Sequence, residues 1–167
     1  GEGTYVKKFD PSKFTLPVTT AFLMKQNDVK ELYEVRKILE VGTASLAAMN
    51  CNEEDLFPME EALNVMENAG GDEDQAQKAD TDFHLAIAKA THNHLLISLM
   101  GSMSELISET IRETRKVILY SEDQADLLLV EHKQIFEAIK KKDSDLAGKV
   151  MFNHLENTKN RLFKYIE

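Results

Sequence analysis

Asp80 and His84 stand four residues apart in the stretch ADTDFHLAIAKATHN, one helical turn, so they share a face. The surrounding pattern turns that face inward: His84, Ile87, Ala88, Thr91 and Leu95 recur at helical spacing. Burying an acid and an imidazole is costly unless each finds a partner. Two more histidines fall on inward stripes elsewhere. His132, in EHKQIFEAI, lies with Leu128, Ile135 and Ile139; His154, in KVMFNHLENT, lies with Ala147, Val150, Met151, Thr158 and Leu162. Taken singly, such a histidine is most often a hydrogen-bonded core residue, and Asp80 with His84 is a plain i, i+4 pair. Three imidazoles on three helices plus a carboxylate have another chemistry open to them. Neutral ring nitrogen and carboxylate oxygen suit zinc, nickel, manganese or iron, and a bundle core is a usual place to assemble such a site.

Other polar residues are weighed beside this set. Arg36 shares an inward side with Leu32, Leu39 and Thr43. The sequence favours a boundary arginine that snorkels outward and pairs with Glu40 at i+4. The alternative is a guanidinium fork facing a cavity, ready to grip a carboxylate. His92 and His94, in THNH, are expected at a solvated helix junction, Cys51 as small buried filler, and Glu131 pointing away from its neighbour His132.

The elements that must position these groups read as helices almost throughout. Asp28, with Glu31 three residues on, opens a first long helix whose inner face carries Leu32, Val35, Leu39 and Leu46. Asn52 caps a second, with Glu53, Glu54 and Asp55 at its positive end; Pro58 kinks it or marks its first turn, and Gly70-Gly71 ends it. A third covers about 73–91 and a fourth about 93–120. The fourth includes LLISLMGSMSELI, apolar nearly all round, and so either central in the bundle or shared with a second subunit. A fifth spans about 122–141, and Asp143 caps a sixth that runs to the end. Residues 1–6, GEGTYV, read as the end of a β-hairpin; 7–27 read as a linker with a short helix in LPVTTAFLM. The expected fold is all-α, an antiparallel bundle of six or seven helices over 28–167.

Bulk composition narrows the function. The chain's 167 residues, 43% of them hydrophobic, suffice for one domain with a real core. A formal charge of −9 makes this piece a poor nucleic-acid ligand, since phosphates would be repelled. No stretch approaches the ~20 apolar residues of a membrane span. One cysteine cannot form an intramolecular disulfide, which suits a reducing cytoplasm.

Several stretches together resemble a known family. DVKELYEVRKILEVGTASLAA is similar to the opening helix of the FadR-type C-terminal (FCD) domain of GntR bacterial transcription regulators. ADTDFHLAIAKATHN resembles its D-x-x-F-H helix with terminal Asn, EHKQIFEAIKKKDSDLAGKVMFNHL its closing helix pair, and GEGTYV the last strand of a winged-helix wing. The resemblance covers residues 28–165 and implies a metal-binding member, with Asp80, His84, His132 and His154 as ligands of a divalent cation, zinc first. It further implies a small organic acid as effector, received by Arg36. Thr43, on the same inward side, and Asn93, the terminal Asn of the motif, complete the expected effector set. Also implied are a homodimer and DNA binding through an N-terminal winged helix that this chain lacks. The alternatives are a metal-dependent, hydrolase-like bundle enzyme and a purely structural dimerisation bundle. Against the enzyme, the sequence offers no His-Asp dyad of the phosphohydrolase type, no Glu-x-x-His pairs and no additional general base.

Overall fold

A computed structural model describes residues 29–118 and 122–166. The wing remnant, the linker with its short helix, and the Asp28 cap lie outside those residues. Six helices make up the described chain: α1 (Val29–Asn50), α2 (Glu53–Asn68), α3 (Glu73–Ala90), α4 (His94–Ile118), α5 (Glu122–Lys140) and α6 (Ser144–Ile166). The fold is all-α, as expected. α2 packs on α3, α3 on α4 and α5 on α6 across short links, which makes each pair antiparallel, while α1 lies along α6.

Side-chain caps set the helix starts. Asn52 accepts from the Asp55 amide at 3.1 Å while the Asp55 carboxylate accepts from the Asn52 amide at 2.8 Å, a reciprocal box. Asp72 caps α3 through the Gln75 amide and Asp143 caps α6 through the Leu146 amide. Left-handed residues make the stops: Gly70 (φ 57°) and Gly71 (φ 94°) after α2, His92 (φ 53°) after α3, Lys142 (φ 60°) after α5. Pro58 lies inside α2 rather than in its first turn.

Two apolar clusters hold the bundle. One gathers Ala44, Ala47, Met59, Phe83, Ile135, Ile139, Met151 and Leu155 from α1, α2, α3, α5 and α6. The other gathers Leu32, Ala88, Met100, Met103, Leu106 and Ile107 from α1, α3 and α4. α1 is a thin wall of alanines where α6 crosses it; a Cβ on Gly148 would meet Ser45 Oγ at 2.4 Å.

Two expectations are corrected here. Val35 is 40% exposed and Leu95 67% exposed. The inner stripe of α1 runs through Tyr33, Arg36, Glu40 and Ala44, because the buried ion pair on it has partners inside the bundle. Leu95 loses its register because α3 ends at Ala90 and the chain turns at His92 before α4 begins. α4 buries one face, Met100, Met103, Leu106 and Ile107, and leaves Leu95 and Leu99 outside.

Candidate metal centre

His84 on α3, His132 on α5 and His154 on α6 converge in the interior, each no more than 2% exposed. One ring nitrogen from each lies within 4.8 Å of the others. Asp80 Oδ1 sits 3.4 Å from His84 Nε2 and 3.3 Å from His132 Nε2. Ligands about 2.0–2.1 Å from a tetrahedral cation stand roughly 3.4 Å apart, so Asp80 already has that spacing to both His84 and His132. His154 stands with its ring centroid 4.5 Å from that of His132 and 5.5 Å from that of His84. Phe83 seats two of the rings edge-on, with centroids 5.9 Å from His84 and 5.2 Å from His132.

A ligating imidazole needs its other nitrogen occupied by an acceptor, which fixes tautomer and ring orientation. His132 and His154 meet this condition at Nδ1, and His84 has a carboxylate oxygen close to its Nδ1. His132 Nδ1 lies 2.9 Å from the Leu128 carbonyl, His154 Nδ1 3.1 Å from Glu131 Oε2, and His84 Nδ1 2.5 Å from Glu40 Oε2. The protons are assigned from these partners. The last contact is close but bent, short of a well-formed hydrogen bond. The Nε2 atoms of His84 and His132 are buried and form no hydrogen bond among the described residues. Buried ring nitrogens left so are uncommon, and once free of a proton each offers the lone pair a divalent cation takes. The donor set therefore fits zinc and its borderline neighbours.

Electrostatics divide the cluster. Burial would push the Glu40 carboxyl up, but Arg36 and then His84 outweigh it and hold it well below the usual range. Asp80 is likewise held low against its burial by His132 and His84. Burial lowers His84, yet Glu40 and Asp80 override it and raise the ring to about 9. His154 falls to about 4, through burial first and then repulsion from His132. His154 is thus neutral at pH 7, while His84 carries a proton that a cation must displace.

A cavity of about 10 Å³ adjoins the cluster, lined by Tyr33, Arg36, Asp80, Ile111, Leu128, His154 and Thr158. It has room for one water-sized species. Arg36 does not snorkel: it is 2% exposed, its Nε donates to Glu40 Oε1 at 2.6 Å, and its Nη2 is buried with no hydrogen bond among the described residues. Thr43 is buried, but its hydroxyl donates back to the Leu39 carbonyl of its own helix at 2.6 Å. Asn93 is exposed and caps α4, accepting from the Leu95 and Leu96 amides. Neither Thr43 nor Asn93 lines the cavity. His92 and His94 are exposed at the α3–α4 junction, His92 Nε2 lying 2.7 Å from Asp55. Cys51 is buried and free.

Two carboxylates escape a periodicity argument. Glu40 looks like the outer half of an i, i+4 pair with Arg36, and Glu131 looks like an outward neighbour of His132. Glu131 instead faces α6, where it meets His154, Asn157 and Arg161. The available signal was the residue-type pairing, an acid within reach of each inward histidine, not the spacing.

The sequence model of the FCD domain matches residues 31–157. The chain belongs to the FCD domain family. FCD domains are the C-terminal halves of GntR-type regulators, and the similar proteins carry matching names. The chain is 44% identical over its whole length to the HTH-type transcriptional regulator LutR of Bacillus subtilis, covering 77% of it. Over 81% of the chain it is 35% identical to the Uxu operon transcriptional regulator of Escherichia coli, covering 54% of that protein. This FCD domain thus spans from about half to three quarters of the relatives it matches. A solved structure of Streptococcus agalactiae GntR superposes with a TM-score of 0.64 over 83% of the chain and 62% of that structure, at 24% identity, which supports the fold. The relatives are transcription regulators rather than enzymes, and the hydrolase alternative falls with that. No helix among the described residues is long and apolar enough to cross a membrane.

Proposed function

We propose that this FCD domain senses a small carboxylate metabolite through a divalent cation, zinc first among zinc, nickel, manganese and iron, held by Asp80, His84, His132 and His154. The observation that carries the reading is the common arrangement of the three imidazoles: each Nδ1 has an oxygen within 3.1 Å, and the Nε2 atoms of His84 and His132 are left facing Asp80. Three neutral imidazoles and one carboxylate leave a divalent cation with net positive charge, and a cation that expands beyond four ligands would accept an anionic oxygen. Arg36 supplies the second half of a carboxylate site, since it lines the same cavity and its buried Nη2 makes no hydrogen bond among the described residues.

The cavity's size gives the sensing mechanism. At about 10 Å³ it does not admit an organic acid without moving its walls, and those walls come from α1, α3, α4, α5 and α6. Effector entry and helix displacement are then one event. That is the differential interaction a ligand needs to bias one arrangement over another. In a cytoplasmic homodimer with winged-helix heads that contact DNA, the displacement would alter how those heads are presented.

Thermal melting tests the reading. Zinc at 100 times its Kd stabilises the native state by about 2.7 kcal/mol, which raises the Tm of a domain this size by roughly 5–10 °C. EDTA should reverse the shift, and lactate or gluconate should add to it only when metal is present. His132→Ala should strip both metal and the carboxylate response. Unchanged metal content in that variant by atomic emission would overturn the ligand assignment. A wild-type melt indifferent to zinc and chelator would leave a structural bundle.

A further inference from the structure

Tyr33, Arg36 and Glu40 follow one another at i, i+3 and i+7 along the inner stripe of α1, and all three are buried. Glu40, 1% exposed, divides its two oxygens. Oε1 accepts from Arg36 Nε at 2.6 Å; Oε2 lies 2.5 Å from His84 Nδ1. The Arg36 guanidinium also stands 5.5 Å over the Tyr33 ring, so it is braced from both sides along the helix. Its Nη2 is buried without a hydrogen bond among the described residues, and Arg36 lines the cavity.

We propose that Glu40 is the positioning residue of the centre: a single buried carboxylate sets both the ligating ring of His84 and the carboxylate-receiving fork of Arg36. This rests on the reading that the histidine cluster binds a metal. Nothing in the α1 periodicity demands an acid at this depth, and an unpaired carboxylate there would be costly. Its two neighbours explain it. A ring held at Nδ1 keeps Nε2 toward Asp80, and a fork held at Nε keeps its other N–H groups for an incoming anion. Because one side chain does both, a rotation that improves one contact disturbs the other. Metal and carboxylate therefore communicate through α1 as well as across the cavity, and that coupling is reciprocal.

Glu40→Gln is the discriminating variant, because it puts an NH2 donor where one of the two carboxylate oxygens now faces Arg36 or His84. Cobalt(II) serves as the probe, titrated into wild type and variant with its visible d–d bands as readout, after circular dichroism has shown both folded. Glu40→Gln should raise the cobalt Kd by about 10–100-fold and change the band pattern, because His84 no longer presents the same nitrogen. Acetate, added to the cobalt-loaded proteins, should perturb the wild-type bands at lower concentration than those of the variant. Cobalt Kd values within twofold and superimposable bands would overturn the role of Glu40 while leaving the metal site intact. Absence of cobalt binding by the wild type would remove the parent reading, and this one with it. A measurement without any variant guards against misfolding: the metal-loaded wild type should show a downfield, slowly exchanging His84 Nδ1–H resonance in ¹H–¹⁵N spectra. Rapid exchange of that proton with water would overturn the proposal.

Discussion

Glu40 and Glu131 each offer a carboxylate to the Nδ1 of a histidine in the same cluster, at 2.5 Å from His84 and 3.1 Å from His154. Their surroundings differ. Glu40 is sealed between Arg36 and His84 with almost no solvent contact. Glu131 keeps 14% of its side chain exposed and is gripped by Arg161 and Asn157 at the edge of α5 and α6. A sealed carboxylate has only the partners the fold supplies, so its loss leaves a buried charge uncompensated. An edge carboxylate can be replaced in part by water. The two ends of the cluster thus share a chemical device but not its energetics.

The largest expected effect follows from that difference. Glu40→Ala should destabilise the metal-free domain by about 3–5 kcal/mol, because Arg36 is left buried and unpaired; urea unfolding measures it. Equal losses for Glu40→Ala and Glu131→Ala would abolish the distinction between the ends. Adding Arg36→Met to Glu40→Ala should recover a large part of the loss, since removing both partners takes away the stranded charge.

Glu131→Ala is expected to cost about 1 kcal/mol, with Arg161 free to turn outward. Its effect on cobalt affinity should be smaller than that of Glu40→Gln, because a water can take over His154 Nδ1. A larger loss of metal at Glu131 than at Glu40 would invert the comparison.

The smallest effect belongs to the seam that sets α1, and with it Glu40, against α6. Gly148→Ala gains roughly 1 kcal/mol of helix propensity. It also drives a Cβ to 2.4 Å from Ser45 Oγ, whose hydroxyl donates to the Ser144 carbonyl at 3.0 Å. Losing that bond offsets the gain, so the net change should fall within about 1 kcal/mol of zero. In a Ser45→Ala background the same substitution should turn stabilising. A loss above about 2 kcal/mol there would mean that backbone, not the serine, limits the helix approach.

Helical periodicity decided much of this molecule before any coordinates. The spacing of His84, His132 and His154 among Ile, Leu and Met placed all three in the core, and Asn52, Asp143 and the Gly70–Gly71 stop marked helix ends through local hydrogen bonding alone. Local rules suffice there because a cap or a stripe involves residues within a turn or two of one another. What tertiary structure decided is the pairing across helices. Sequence put Val35 inside and Arg36 at the boundary; the fold reversed them, because His84 on another helix gives Glu40, and through it Arg36, a reason to be buried. Glu131 found His154 and Arg161 across the α5–α6 seam for the same reason. A buried charge is stable only beside its partners, and those that decide Glu40 and Glu131, His84 and His154, lie on other helices, beyond the reach of any local pattern.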